Sequence, residues 1–452
     1  MTRTMSELEP YFPRHGNEGY RVAHYDLTLG YRIGANRLEG TAVLTATADA
    51  QPAGAPEPLA AFELDLSTAL RVERVTVDGA RVRHTHRAGK LRVTLPGGGP
   101  VEPGASFRVE VRYSGTPHLI TSPYGGLGWE QLTDGVLVAS QPTGAPSWFP
   151  CDDRPDRKAT YRIAVTTSAS YHVVANGVLE ARTPSGSSAT WIYRQDAPMA
   201  TYLATVQIGR YTAIDLTADV PQRLVVPPRH TARARTAFAA QPRMMQVFAQ
   251  RFGPYPFAGY TALVADDVLE IPIEAQGLSI FGTNHLAPGW ENERLIAHEL
   301  AHQWFGNSLT LEHWRDIWLH EGFAAYAEWL WSEASGQRTA DEHARRWHRR
   351  LARQPQDLVL SDPGTAHLFD DRVYKRGALT LHALRLTVGD EAFFRILREW
   401  TAAHRHSGIH TAEFVALFAG HYAGLGAVLE SQGSFFERWL DWRSLPPLPV
   451  VI

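Results

Sequence analysis

Residues 298–307 read HELAHQWFGN, and the organisation of the chain follows from them. His298 and His302 stand four positions apart. On a helix that spacing puts both imidazoles on one face, about 6 Å apart, within reach of one ion. Glu299 projects beside them, where it can address a water molecule. The neighbouring positions Leu295, Ile296, Leu300, Ala301, Trp304 and Phe305 are apolar, so the helix is expected to be buried. Two buried histidines and a buried glutamate need partners, because desolvating them unpaired is costly. A divalent cation with its water satisfies all three.

A catalytic zinc takes three protein ligands and keeps a fourth position open, whereas a structural zinc normally takes four protein ligands. Glu321 is the candidate third ligand. Eighteen residues separate it from His302, and it opens a second apolar stretch, EGFAAY. An acid in a first helical turn is also favoured by the helix dipole, and both roles can hold together. Glu328, seven positions on, falls on the same helix face. It either orients a ligating histidine or stands at the surface. Three ligands rather than four favour a catalytic site.

Outward from this stretch the C-terminal half reads as mostly helix. Helices are expected near residues 292–307, 321–335, 340–353, 374–388, 390–404 and 411–422, after one that starts near Pro242. Residues 260–264 and 278–281 read as strands of a small sheet, and 220–230 as a Pro-rich connection. The first 210 or so residues alternate apolar and polar side chains over 23–33, 70–77, 90–95, 107–113, 159–167, 171–175, 189–193 and 202–208. Turns such as Asp78-Gly79 and residues 96–104 separate them. The fold expected is a multidomain α+β protein: an all-β saddle or sandwich over residues 1–212, then a mostly α-helical, thermolysin-like domain over 213–452.

Composition agrees with a globular chain. Of 452 residues 44% are hydrophobic and 20% charged, and a net charge of −3 gives no electrostatic case for nucleic acid or an anionic membrane as partner. One cysteine, Cys151, rules out an intramolecular disulfide and a cysteine-based zinc site. Residues 1–19 include Glu7, Glu9, Pro10 and Pro13 and hold no apolar run of the secretory kind. With no apolar stretch long enough to span a bilayer, a cytoplasmic location is expected.

HELAHQWFGN, followed by Trp318-Leu319-His320-Glu321-Gly322-Phe323-Ala324, resembles the aminopeptidase N and leukotriene hydrolase family of gluzincins. The family has Asn where this chain has His320. His24-Tyr25-Asp26-Leu27 is similar to the first strand of its N-terminal domain, Trp148-Phe149-Pro150-Cys151-Asp152-Asp153 with Lys158-Ala159 to its "FPC.D.P..KA" segment, and Phe252-Gly253-Pro254-Tyr255-Pro256-Phe257 to the start of its catalytic domain. Tyr374-Lys375-Arg376-Gly377-Ala378 looks like its "Y.KGA" helix with Arg for Lys. The resemblance implies one zinc ion per chain on His298, His302 and Glu321, Glu299 as general base, and Tyr374 stabilising the tetrahedral intermediate.

The family's exopeptidase motif, GAMEN, is degenerate here. Residues 271–277 read IPIEAQG and keep Glu274, which the resemblance implies binds the free α-amine of a peptide. Gln141 is the matching amide on the other side, followed two positions later by Thr143 where the family often has an acid or amide. The implied activity is release of the N-terminal residue from peptides. Alternatives with the same metal site are a peptidase dedicated to one precursor and an epoxide-hydrolase-type enzyme; a non-catalytic binding protein would not need Glu299 and Tyr374. No sequence remains after the catalytic helices for the family's C-terminal helical domain, so the cleft is expected to be open or covered by a second subunit; oligomeric state is left open.

Overall fold

The structure is a computed structural model and describes residues 9–49, 58–95, 101–422 and 434–449. Residues 1–8, and 96–100 of the expected turn, lie outside the described residues.

An eight-stranded sheet dominates the N-terminal part. Its strands run, edge to edge, Val178–Ser185, Ser188–Ala200, Lys158–Ser168, Tyr20–Arg32, Arg37–Ala48, Ser106–Gly115, Leu70–Val77 and Ala80–Arg81. Neighbours are antiparallel except Tyr20–Arg32 and Lys158–Ser168, which pair in parallel with Tyr25 opposite Tyr161. The period-2 pattern decides which face is buried: Tyr25, Leu27, Leu29 and Tyr31 point inward from one strand, Phe107, Val109, Val111 and Tyr113 from another. Smaller sheets cover this layer. One is Ala61–Asp65, Lys90–Thr94 and Arg83–Arg87; another is His172–Ala175, Val206–Gly209, Gly135–Ala139, Gly125–Leu132 and Ile120–Ser122. The run expected as one strand over 202–208 divides instead into a 3-10 turn, Thr201–Leu203, and the strand Val206–Gly209. Within that turn Tyr202 donates its hydroxyl to the Gly306 carbonyl at 2.8 Å.

The Pro-rich connection is more ordered than its composition implies. Between Pro221 and Pro227 the apolar run Leu224-Val225-Val226 forms the strand Gln222–Val226. It joins Thr212–Leu216, Tyr260–Val264, Leu278–Phe281 and, at the edge, Ile273–Ala275 in a five-stranded sheet.

Eight α-helices are described after this strand: α1 Thr231–Ala237, α2 Gln241–Phe252, α3 Trp290–Ala301, α4 Trp318–Ala334, α5 Ala340–Leu351, α6 Asp371–Val388, α7 Asp390–Ala403 and α8 Thr411–His421. α3 stops six residues before the expected end. Beyond Ala301 the backbone widens, with Asn307 N–H bonding to His302 O and Ser308 N–H to Gln303 O, and Gly306 adopts φ 129°. α4 starts three residues earlier than expected, so Glu321 lies inside its first turn rather than at its start. No helix among the described residues is long and apolar enough to cross a membrane.

Candidate active site

α3 brings His298, Glu299 and, as its C-terminal cap, His302 to one place; α4 brings Glu321. All four are buried. The ligand atoms of His298, His302 and Glu321 lie within 4.8 Å of one another, with His298 Nε2 3.4 Å and His302 Nε2 3.5 Å from the same Glu321 Oε2. Zinc ligands at about 2.0–2.1 Å in a tetrahedron are about 3.3 Å apart, so these separations suit that ion.

The other ring nitrogens are already engaged. His298 Nδ1 lies 2.9 Å from Glu328 Oε1, and His302 Nδ1 lies 3.0 Å from the Phe305 carbonyl. An Nδ1–H donated to each acceptor leaves both Nε2 atoms facing the Glu321 carboxylate, the side of each ring on which a metal would bind. Glu328 is therefore buried and orienting rather than at the surface. It sits between Lys375 Nζ at 3.6 Å and Arg294 Nη1 at 3.4 Å. These cations, with the His298 bond, outweigh burial and hold its carboxyl down near 2. The widened turn after α3 also has a purpose here: a Cβ on Gly306 would lie 3.0 Å from His302 Nδ1, so glycine lets the loop close over that ring.

The pocket is electrostatically prepared for positive charge. Burial pushes His302 down, yet the Glu274 and Glu321 carboxylates prevail and lift it to about 10. Burial opposes ionisation of Glu321, but His302 and His298 depress it well below the usual carboxylate range. Glu299 responds the other way: burial pushes it up to about 8, and its Oε2 has no hydrogen-bond partner. The donor set, the committed Nδ1 atoms and the unpartnered Glu299 oxygen all fit a zinc ion with an adjacent proton acceptor.

Two further carboxylate and phenol groups border this centre. Burial raises the carboxyl of Glu274, on the edge strand Ile273–Ala275, against the pull of His302 and His298, and the Glu321 carboxylate raises it further. Glu274 Oε1 is buried without a partner. Tyr374, in the first turn of α6, stacks on the His298 ring with centroids 6.0 Å apart and planes 17° from parallel. Burial and the nearby Glu321, Glu274 and Glu299 keep its hydroxyl protonated well above its ordinary value.

Two family models match the chain in succession: the peptidase M1 N-terminal domain over residues 22–203 and the peptidase family M1 domain over residues 236–439. An M1 zinc metallopeptidase from Deinococcus radiodurans has the same fold, with TM-score 0.87 and 33% identity over 98% of this chain and 99% of that one. The chain belongs to peptidase family M1. A mutant of the Deinococcus M1 enzyme bound to a Tyr-Ser-Ala substrate superposes with TM-score 0.86. Among curated M1 relatives, probable aminopeptidase 1 of Sulfurisphaera tokodaii is 24% identical over 86% of this chain and 50% of its own length. Aminopeptidase M1 of Arabidopsis thaliana is 25% identical over 70% of this chain and 38% of its own length. The chain thus spans about a third to a half of the curated M1 relatives it matches.

Two M1 positions depart from expectation or stand apart. His320, in place of Asn, is fully buried, and burial pushes it down to about 3, so its ring is neutral. Gln141 follows the strand Gly135–Ala139, and its Nε2 is buried without a partner. Nothing in the sequence singles out Lys375 and Arg294 as supports of Glu328. The burial of Lys375 in α6, which the sequence does not show, is what calls for a carboxylate partner.

Proposed function

We propose that this chain is a zinc-dependent aminopeptidase, hydrolysing the bond after the N-terminal residue of a peptide. The observation supporting it most is the pair of buried, unpartnered carboxylate oxygens, on Glu299 and Glu274, that share one electrostatic pocket with the metal trio. His298, His302 and Glu321 would hold the zinc, which when bound would supply Lewis-acid polarisation of the scissile carbonyl.

The remaining steps belong to the chain. Glu299 takes a proton from the attacking water and returns it to the leaving amine, and its unpartnered Oε2 is free to accept that proton. Tyr374 donates its O–H to the oxygen that gains charge. Glu274 receives the substrate ammonium, which needs a fixed carboxylate on entering a partly desolvated cleft. Gln141, with its free amide N–H, holds the same end of the peptide from the N-terminal part. This reading also takes residues 1–212 and 213–452 as the two domains, supported by the gap between the two family models at 204–235.

Aminoacyl chromogenic amides, each beside its N-acetylated twin, test the activity. Free-amine substrates alone should be cleaved. Equal cleavage of acetylated twins would remove the role of Glu274, and no cleavage of either by zinc-loaded protein would overturn the proposal.

A further inference from the structure

Residues 9–17 precede both family models and contain no catalytic motif, yet they are tied to the catalytic part at several points. Glu9 is 2% exposed. Its Oε2 accepts the Trp314 backbone N–H at 3.1 Å and lies 3.3 Å from His313 Nδ1, while its Oε1 accepts the Tyr11 N–H at 3.1 Å. The Tyr11 hydroxyl donates to the Asp362 carboxylate and accepts the Gly364 N–H at 2.7 Å. Phe12 sets its ring edge-on to Trp314, with centroids 6.3 Å apart. The other end is anchored in the β part, where Gly16 N–H bonds Asp65 at 2.9 Å and Asn17 N–H bonds Asp152 at 2.8 Å.

The two catalytic-side attachment points are the lead-ins to the two helices that matter. The 3-10 turn Trp314–Asp316 runs into α4 at Trp318, and Glu321 follows in the first turn. Residues 362–364 lead through the turn Thr365–His367 to α6, whose first turn holds Tyr374. Trp314 is also the near end of a path to the other metal ligands. Its ring packs edge-on against Tyr202 at 5.0 Å, and Tyr202 donates to the carbonyl of Gly306, the glycine lying over His302.

We infer that residues 9–17 are a strap that fixes the starts of α4 and α6 relative to each other, with Glu9 and Tyr11 as positioning residues for Glu321 and Tyr374. The inference rests on the aminopeptidase reading for its kinetic consequence but not for its structural one. A helix lead-in whose N–H is left without an acceptor is free to fray. Glu9 supplies that acceptor to Trp314, and Tyr11 supplies it to Gly364. Oxyanion stabilisation depends on sub-ångström placement of the donor, so loosening either lead-in lowers turnover more than binding.

The test uses the full chain with Glu9→Gln, Tyr11→Phe and the double variant. On the zinc-loaded protein well below its Tm, kcat is expected to fall about tenfold in the double variant. KM should stay within about twofold and zinc should stay at one per chain. Amide hydrogen exchange on metal-free protein should become faster in residues 314–322 and 364–377, and unchanged in the remote strands of residues 106–115. Unchanged exchange in those two segments, or an unchanged kcat whatever the Tm does, overturns the strap. If wild-type protein cleaves no amide, the aminopeptidase reading fails by itself, and the exchange measurement still decides the strap.

Discussion

Gly322 of α4 and Gly377 of α6 meet backbone to backbone: a Cβ on Gly322 would lie 2.8 Å from the Gly377 Cα, and one on Gly377 would lie 2.7 Å from the Gly322 Cα. Neither position has room for a methyl group. The contact sits one residue from Glu321 and three from Tyr374, so it sets the distance between a metal ligand and the phenol on the neighbouring helix. Gly377→Ala is expected to lower stability by roughly 1–3 kcal/mol through overpacking. It should also reduce kcat by about a hundredfold at a temperature where the variant is folded. Thermal unfolding and steady-state kinetics check both, and a variant with wild-type kcat would show that the crossing does not govern the site.

Glu328 holds His298 through the Nδ1 bond at 2.9 Å and is itself held by Lys375 and Arg294. Glu328→Ala should weaken zinc binding by about 10- to 100-fold, the usual effect of losing a partner behind a ligand. Chelator competition measures this. Glu328→Gln, which keeps an acceptor, should lose less. Equal zinc affinity in all three proteins would mean that His298 is oriented by other contacts.

Tyr374 has a polarity that can be read in kinetics. If its O–H serves only the charged oxygen formed during reaction, Tyr374→Phe should lower kcat by about 100- to 1,000-fold, a barrier increase of about 2.7–4 kcal/mol, with KM and zinc content unchanged. A rise in KM at constant kcat would instead place the hydroxyl on the bound peptide.

Lys158 bridges the two parts of the molecule, donating to the carbonyls of Asn307 at 3.0 Å and Ser308 at 2.7 Å, just beyond the metal helix. Burial lowers it from its ordinary 10.5 to about 7. Between those values the unfolded chain binds the proton and the folded chain does not, so the penalty for burying this amine is greatest below pH 7 and fades as pH rises. The stability of wild type relative to Lys158→Met should therefore increase from pH 7 to pH 9. A difference that stays flat across this range would show that the amine keeps its charge in the fold.

The zinc trio was legible because metal binding imposes its own spacing: four positions on one helix and a carboxylate opening the next apolar run. Strand 70–77 was legible to the residue from alternation and a following Asp78-Gly79 turn, both at positive φ. The parallel pairing of Tyr20–Arg32 with Lys158–Ser168 was not, since no local pattern names a partner so far along the chain. The end of α3 was overrun because Gln303-Trp304-Phe305 continues the apolar pattern, and what stops the helix is a glycine fitted against His302. Glu328 stayed ambiguous because its spacing gives a face but not its burial. The strap was invisible: its segment has no periodicity, and Glu9 finds its partner 305 residues away.

In the proposed reaction three residues hold zinc while a fourth moves the proton. Zinc content and amide turnover, measured side by side on wild type and Glu299→Ala, test it most directly. One zinc per chain in both proteins and turnover in wild type alone are expected. Loss of zinc from the variant, or turnover surviving in it, would contradict the division of labour between His298, His302 and Glu321 on one side and Glu299 on the other.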